Sequence, residues 1–326
     1  MKSPFANCEA ALKSEYRTLN YRGEQYGYVY QYYQCEETNA IFTTDELDTI
    51  SINQVYNQYR DAHDIPYVDE IRKIRKSYGV SASKMSQILG WGENQYRLYE
   101  NGDIPNLNNG KQLRAIQNPL IFCTYVDISQ LSEKEKSDIK NKAMNSQLAM
   151  NDNVRFIHSL IFGKTKGNFE GYTYQSLGKL KNTILFFINK LDKVFQTKMN
   201  KLLFYSDFLS YKRYGHGLTG LSYFAHNFGP VPLHWDKVFS LIEDINKDVI
   251  NCGNGNEGYI LTSNISYDEN EFSEQEIDVL NAVIDRFDSC TPSQISEISH
   301  QEDGWKDNIN TYSMIDYSYA FKLKAI

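Results

Sequence analysis

The chain has 326 residues, 41% hydrophobic and 23% charged, an ordinary globular composition with room for two domains, or three if one is small. No apolar run approaches the roughly 18 residues of a membrane span, and the start Met1-Lys2-Ser3-Pro4-Phe5 lacks the apolar stretch of a secretion signal. Five scattered cysteines (Cys8, Cys35, Cys123, Cys252, Cys290) imply no disulfide framework, so a cytoplasmic protein is expected.

Tyr26, Tyr28, Tyr30 and Tyr32 recur at period two, and Arg22-Gly23-Glu24 supplies a turn, so residues 16–43 read as a β-hairpin or meander. Thr44 followed by acidic residues starts a helix that runs through Ile52, Val55 and Tyr59 and stops before Pro66. From Asp69 to Ile116, four or five short helices alternate with glycine turns. Residues 127–150 are polar, and Ser132-Glu133-Lys134-Glu135 opens a capped, solvated connecting helix. Asn151–Tyr174 is interrupted by Gly163, Gly167 and Gly171, which argues against one continuous helix. A mainly helical stretch is expected from Tyr174 to about Ile250, including an amphipathic helix through Trp235, Val238, Phe239 and Ile242. A turn at Cys252–Asn256, a short strand at Tyr259–Leu261 and a capped helix from Ser273 to about Phe287 follow.

The net charge of −7 hides a gradient. Residues 71–114 hold 8 Lys/Arg against 3 Asp/Glu, whereas residues 1–70 hold 5 against 12. A basic segment inside an acidic chain is the electrostatic footprint of a small DNA-binding module. Within it, Ser81 caps a helix from Ala82 to Leu89, small Ser86 sits where two helices approach, and Gly90 supplies a left-handed turn. A second helix, Glu93–Glu100, buries Tyr96 and Tyr99 and presents Asn94, Gln95 and Arg97 outward. This pattern, with Tyr99-Glu100-Asn101-Gly102 at its end, resembles the Xre/Cro-type helix-turn-helix over residues 66–116, from which Glu93 and Leu98 depart. The resemblance implies operator DNA as partner, bound by a homodimer on paired half-sites. Ser83, Lys84, Glu93, Asn94, Gln95 and Arg97 then face the groove, and Arg72, Arg75 and Lys76 contact phosphates.

The residues ahead of this module resemble the zinc-ribbon-like cap of MqsA-like antitoxins, in degenerate form. A structural zinc site takes four ligands. Here Cys8 and Cys35 each lack a knuckle partner, because Phe5 and Thr38 occupy the other places, and the spacing of His63 does not make it a third ligand. A metal-free cap is expected.

Further on, Lys201-Leu202-Leu203-Phe204-Tyr205 with Asp207-Phe208 is followed by Gly220-Leu221-Ser222-Tyr223 and Gly229-Pro230-Val231-Pro232. These linked motifs closely resemble the Panacea domain, also called SocA-like, over about Gly171–Ile298. The resemblance implies an antitoxin that neutralises a cognate protein toxin by direct contact. Loops on a rigid scaffold carry recognition disproportionately, so Tyr211, Lys212, Arg213, Tyr214, Asn227 and Pro230 are the candidate toxin contacts.

His216, His226 and His234 with Asp207 and Lys212 invite a hydrolase or transferase reading. Their spacing is unlike helical ligand pairs, however, and no nucleophile elbow, zinc-protease signature or phosphate-cradling loop is present. A transcription regulator with a ligand- or protein-sensing C-terminal domain is a further alternative. The expectation is therefore a mainly α, α+β protein without catalytic residues, metal or cofactor. Its divisions are a β-rich cap and linking helix (1–64), a helix-turn-helix domain (65–126), a connector (127–170) and a helical toxin-neutralising domain with a few short strands (171–326).

Overall fold

The alternating tyrosines build a long hairpin. In the computed structural model, which describes residues 1–146, 148, 152–163, 167–251 and 257–326, β1 (Ala10–Tyr21) pairs antiparallel with β2 (Glu24–Cys35). The two-residue turn between them has positive φ at both Arg22 and Gly23, the geometry whose twist matches a hairpin. β3 (Ile41–Phe42) adds to the far side of β2. The Gln54 side chain serves as a further rung: its Oε1 accepts from the Val29 N–H at 2.9 Å and its Nε2 donates to the Val29 carbonyl at 3.0 Å. Gln54 lies on α1 (Asp45–Ala62), which Thr44 caps by accepting from the Leu47 N–H.

The chain divides into two compact units, one formed by Met1–Val55 with Ile157–Ile326 and the other by Tyr56–Phe156. In the second unit lie α2 (Val68–Tyr78), α3 (Ala82–Ile88), α4 (Gln95–Glu100), α5 (Leu107–Ala115), α6 (Pro119–Ile128) and α7 (Glu133–Met144). Their core joins Ile71, Ile74, Tyr78, Met85, Ile88, Leu113, Phe122 and Val126, and Tyr78 stacks on Phe122 with ring centroids 4.0 Å apart. Ile139 and Ala143 of α7 enter the same core. The expected solvated connector is thus a packed helix, with the Ser132 capping box in place.

Beyond residue 157 the first unit resumes. α8 (Asp152–Phe162) ends at Gly163, where φ turns positive, so the stretch is not one continuous helix, as its glycines imply. α9 (Leu177–Lys190), β4 (Val194–Phe195) and α10 (Gln196–Tyr214) follow. Helix then gives way, contrary to expectation, to an antiparallel hairpin of β5 (Tyr223–His226) and β6 (Gly229–Pro232). The anticipated amphipathic helix shrinks to one turn, α11 (Val238–Leu241). The next strand, β7 (Asn246–Asn251), pairs with β8 (Glu257–Thr262), whose other edge takes β4. The expected turn at Cys252–Asn256 lies outside the described residues. α12 (Glu274–Phe287), α13 (Pro292–Ser299) and α14 (Asp303–Lys306) complete the unit, with 3₁₀ turns before and after them. Helices with sheets of two or three strands make the protein mainly α, within α+β. Among the described residues, no helix is long and apolar enough to cross a membrane.

Almost every residue of α10 from Lys198 to Tyr211 is buried. α12, α13, β6 and the 3₁₀ turn Tyr317–Lys322 enclose it, so its polar members, Lys201 and Asp207 among them, must find partners inside the protein.

Candidate functional site

The α3–turn–α4 segment is held by polar locks as well as by its core. Ser81 Oγ accepts from the Lys84 N–H, starting α3. Gly90 adopts φ 70° to end it, and the Trp91 N–H returns to the Ser86 carbonyl at 2.9 Å. Ser86, expected only to be small, also accepts the Tyr96 N–H at 3.0 Å and so caps α4 from the preceding helix. Tyr96 donates its hydroxyl to the Ile71 carbonyl at 2.8 Å, and burial pushes that phenol well above its usual range.

The expected groove-facing residues divide by what already holds them. α4 begins at Gln95 rather than Glu93, so Glu93 and Asn94 stand exposed in the turn before it. Arg97 is exposed, and Ser83 and Gln95 are half-buried. Lys84 is engaged by Glu135 at 2.9 Å. Hydrogen bonds from Ser132 and Lys84 hold the Glu135 carboxyl at about 2. Of the three expected phosphate contacts, Arg72 donates to the Glu100 carbonyl, Arg75 is committed to the Glu100 carboxylate at 2.7 Å and the Val80 carbonyl at 3.1 Å, and Lys76 is exposed. Glu100 is buried and Arg75 mostly so. A half-buried ion pair of this kind belongs to the scaffold.

In the C-terminal motifs, the short sequence blocks meet each other. Asp207, fully buried on α10, accepts four hydrogen bonds: from the Leu218 N–H (2.8 Å), the Thr219 N–H (2.6 Å), the Thr219 hydroxyl (2.5 Å) and the Tyr223 hydroxyl (2.6 Å). Burial pushes its carboxyl up, and these donors pull it back. One carboxylate thus organises the whole turn between α10 and β5. Six residues earlier, Lys201 donates to the Pro230 carbonyl at 2.7 Å, with its ammonium brought down to about 7 by burial. Gly229 (φ 91°) fits directly over this contact: a Cβ there would run into Ser299 Oγ and lie 2.7 Å from Lys201 Cε. Tyr205 donates to buried Glu302 at 3.2 Å, and Glu302 also accepts the N–H groups of Lys324 and Ala325. Phe208 stacks on Tyr317, whose hydroxyl reaches the Leu221 carbonyl at 2.7 Å.

The six candidate toxin contacts are therefore unequal. Tyr211, 4% exposed, lies against Tyr317 and Phe321, and Pro230 is buried under the Lys201 ammonium; neither offers surface to a partner. Lys212 is half-buried and donates to the Ile326 carbonyl at 2.9 Å. Arg213 and Asn227 are exposed, and Tyr214 is half-exposed. Around Asn227 the structure adds aromatics that the motifs do not contain. Phe228 (53% exposed) packs beside His226 and Trp235, and Tyr312 (51% exposed) donates to Asn227 Oδ1 at 2.9 Å. Tyr312 lies 85 residues from Asn227 along the chain, and no local pattern could have placed it there.

The histidines of the enzyme reading have separate occupations. His216 Nδ1 contacts the Gly217 carbonyl, His226 stacks on Phe228, and His234 is an exposed turn residue with φ 53°. Asp207 spends its acceptor capacity on the loop. Among the described residues, no three of His, Cys, Asp and Glu come together as metal ligands.

No curated protein and no solved structure matches the chain. Residues 199–306, the stretch in which Lys201, Asp207, Tyr223 and Gly229 lock together, match the family model of the antitoxin SocA-like, Panacea domain.

Proposed function

We propose that this protein is the antitoxin of a toxin–antitoxin pair, that it neutralises a protein toxin by direct binding through the C-terminal residues, and that residues 65–126 bind operator DNA and repress its own operon. The observation that carries the first part is the antitoxin-like match over residues 199–306. Geometry supports a binding role: the motif side chains are consumed by internal hydrogen bonds, and the hairpin turn at Asn227-Phe228 carries exposed aromatics. Tyr and Trp are enriched in interface anchors, and rigid aromatic groups lose little entropy on docking. The contact surface proposed here is Asn227, Phe228, Trp235 and Tyr312, with Arg213 and Tyr214 as secondary candidates.

The DNA-binding part rests on the basic charge of residues 71–114 and on the packed α3-turn-α4 unit with Arg97, Asn94 and Lys76 exposed. A homodimer on paired half-sites is the expected binding form. Co-expression of the chain with its genomic neighbour tests the antitoxin reading. Rescue of growth by the wild type, and loss of rescue with Phe228→Asp at unchanged protein level, is the expected result. A neighbour that is harmless alone would sink it, and repression that responds to a small molecule without a toxin would favour the sensing regulator.

A further inference from the structure

Two thiols outside the proposed toxin and DNA surfaces face each other at the foot of the N-terminal hairpin. The Ser3 N–H donates to the Cys8 carbonyl at 2.9 Å and closes one tight turn; the Cys35 N–H donates to the Ala40 carbonyl at 2.9 Å and closes another. The two turns are neighbours because Ala10 pairs with Cys35 in the β1–β2 register and the Glu36 N–H reaches the Glu9 carbonyl. Cys8 Sγ thereby lies 3.2 Å from Cys35 Sγ, across 27 residues of chain. Cys35 is shut off from solvent and Cys8 is partly exposed.

The surroundings polarise the pair. The Ser3 hydroxyl and the Thr38 hydroxyl and N–H converge on the Cys35 sulfur and hold it at about 6, whereas the bond to Cys35 pushes Cys8 up. Either sulfur can donate across the 3.2 Å contact, and Cys35 is the more acidic of the two. Two cysteines alone do not make a zinc site, and among the described residues no third ligand joins them.

We propose that Cys8 and Cys35 form a reversible thiol–disulfide switch, oxidised by a small-molecule disulfide of the glutathione class. Cys8, the exposed sulfur, releases its proton and attacks one sulfur of the small disulfide, giving a mixed disulfide and expelling one thiol. The Cys35 thiolate then attacks the Cys8 sulfur and expels the second thiol. Two protein sulfurs lose two electrons and the small disulfide gains them; the Cys8 proton passes to the first expelled thiol, and the second leaves as a thiolate that takes a proton from solvent. Closing the gap to the roughly 2.05 Å of a disulfide needs only a small side-chain movement. The closed form ties the first turn of the chain to the end of β2.

The test equilibrates the full chain across a series of reduced-to-oxidised glutathione ratios, traps free thiols by alkylation and maps the peptides. The expected product is a Cys8–Cys35 cross-linked peptide, lighter by two hydrogens, that forms and reopens with the ratio while Cys123 and Cys290 stay alkylatable. Cys35→Ser should leave glutathione stranded on Cys8, at about tenfold the wild-type level of mixed disulfide. Thr38→Val, folded by circular dichroism, should close several-fold more slowly at neutral pH and recover its rate as pH rises. The proposal is overturned if both cysteines are alkylated at every ratio, if the wild type retains glutathione on Cys8, if the cross-link joins two chains, or if the purified protein holds zinc through both thiols.

Discussion

The Tyr223 hydroxyl donates to the Asp207 carboxylate at 2.6 Å, fixing the first residue of β5 to the middle of α10. The same carboxylate satisfies two backbone N–H groups and a second hydroxyl, so the two residues have unequal weights. Tyr223→Phe removes one donor to a charged acceptor and should cost about 1.5–3 kcal/mol. Asp207→Ala strands all four donors in a dry interior at about 1–3 kcal/mol each, and should leave little folded protein. Urea unfolding followed by circular dichroism measures both. Equal losses for the two variants would show that the carboxylate is not the organising element.

Stability should rise with pH above neutrality. Burial lowers the Lys201 ammonium from 10.5 to about 7, so between these values the unfolded chain binds a proton that the folded chain does not. Unfolding free energy then increases with pH across that window, by at most about 1.4 kcal/mol per pH unit. Cys35, lowered from 9.0 to about 6, acts in the same sense. The buried phenols of Tyr205, Tyr223 and Tyr317 are raised, so above about 10 the unfolded chain loses protons that the folded one keeps, and the gain stops there. Lys201→Met should flatten most of the rise from about pH 7 to about pH 10 in denaturant midpoints. An unchanged slope in that variant would remove Lys201 as its source.

Arg97→Ala and Arg75→Ala should fail differently. Arg97 is exposed, and its loss should weaken operator binding by about 1–3 kcal/mol with no change in melting temperature. Arg75 holds buried Glu100, and its loss should destabilise the module by about 2–3 kcal/mol, less than a fully buried pair because Arg75 is 23% exposed. Gel shifts and thermal melts on the same samples separate the two cases.

Glu135→Gln should release Lys84 from its ion pair and make it available to phosphate. If Lys84 then neutralises one more phosphate, the salt dependence of DNA affinity steepens by about 0.9 in its logarithmic slope. A titration at several salt concentrations reads this directly, and an unchanged slope would place Lys84 away from the DNA.

Phe228→Ala and Tyr312→Ser should abolish toxin capture while the melting temperature stays within a few degrees, since both side chains are half exposed. Tyr211→Ala should lose capture only by unfolding. Pull-down with melts on the same preparations distinguishes contact from collapse.

What could be read from the sequence was local. Ser81, Ser132 and Ser273 announced their helices because a cap and its first turn lie within four residues, and Arg22-Gly23 announced its hairpin for the same reason. Residues 215–251 misled because Trp235, Val238, Phe239 and Ile242 do repeat at helical spacing. Pro232 and left-handed residues at His234 and Asp244 cut that repeat to one turn. The motif blocks pointed to the family whose model matches residues 199–306, but not to Tyr211 and Pro230 facing inward. That depends on β6 closing over α10, a contact between distant segments. The Cys8–Cys35 approach was invisible for a like reason: two separate turns and a strand register must coincide to create it.

Because Lys201 spends its ammonium on the Pro230 carbonyl under Gly229, and Asp207 and Tyr223 spend their polar groups on each other, these residues act as a chassis. Residues so occupied with the frame have no free groups left to choose a partner. On the proposed function, partner choice falls instead to positions the frame leaves free, such as Asn227 and Phe228 at the hairpin tip and Tyr312 beside them. Exchanging that tip between two such frames should exchange their toxins.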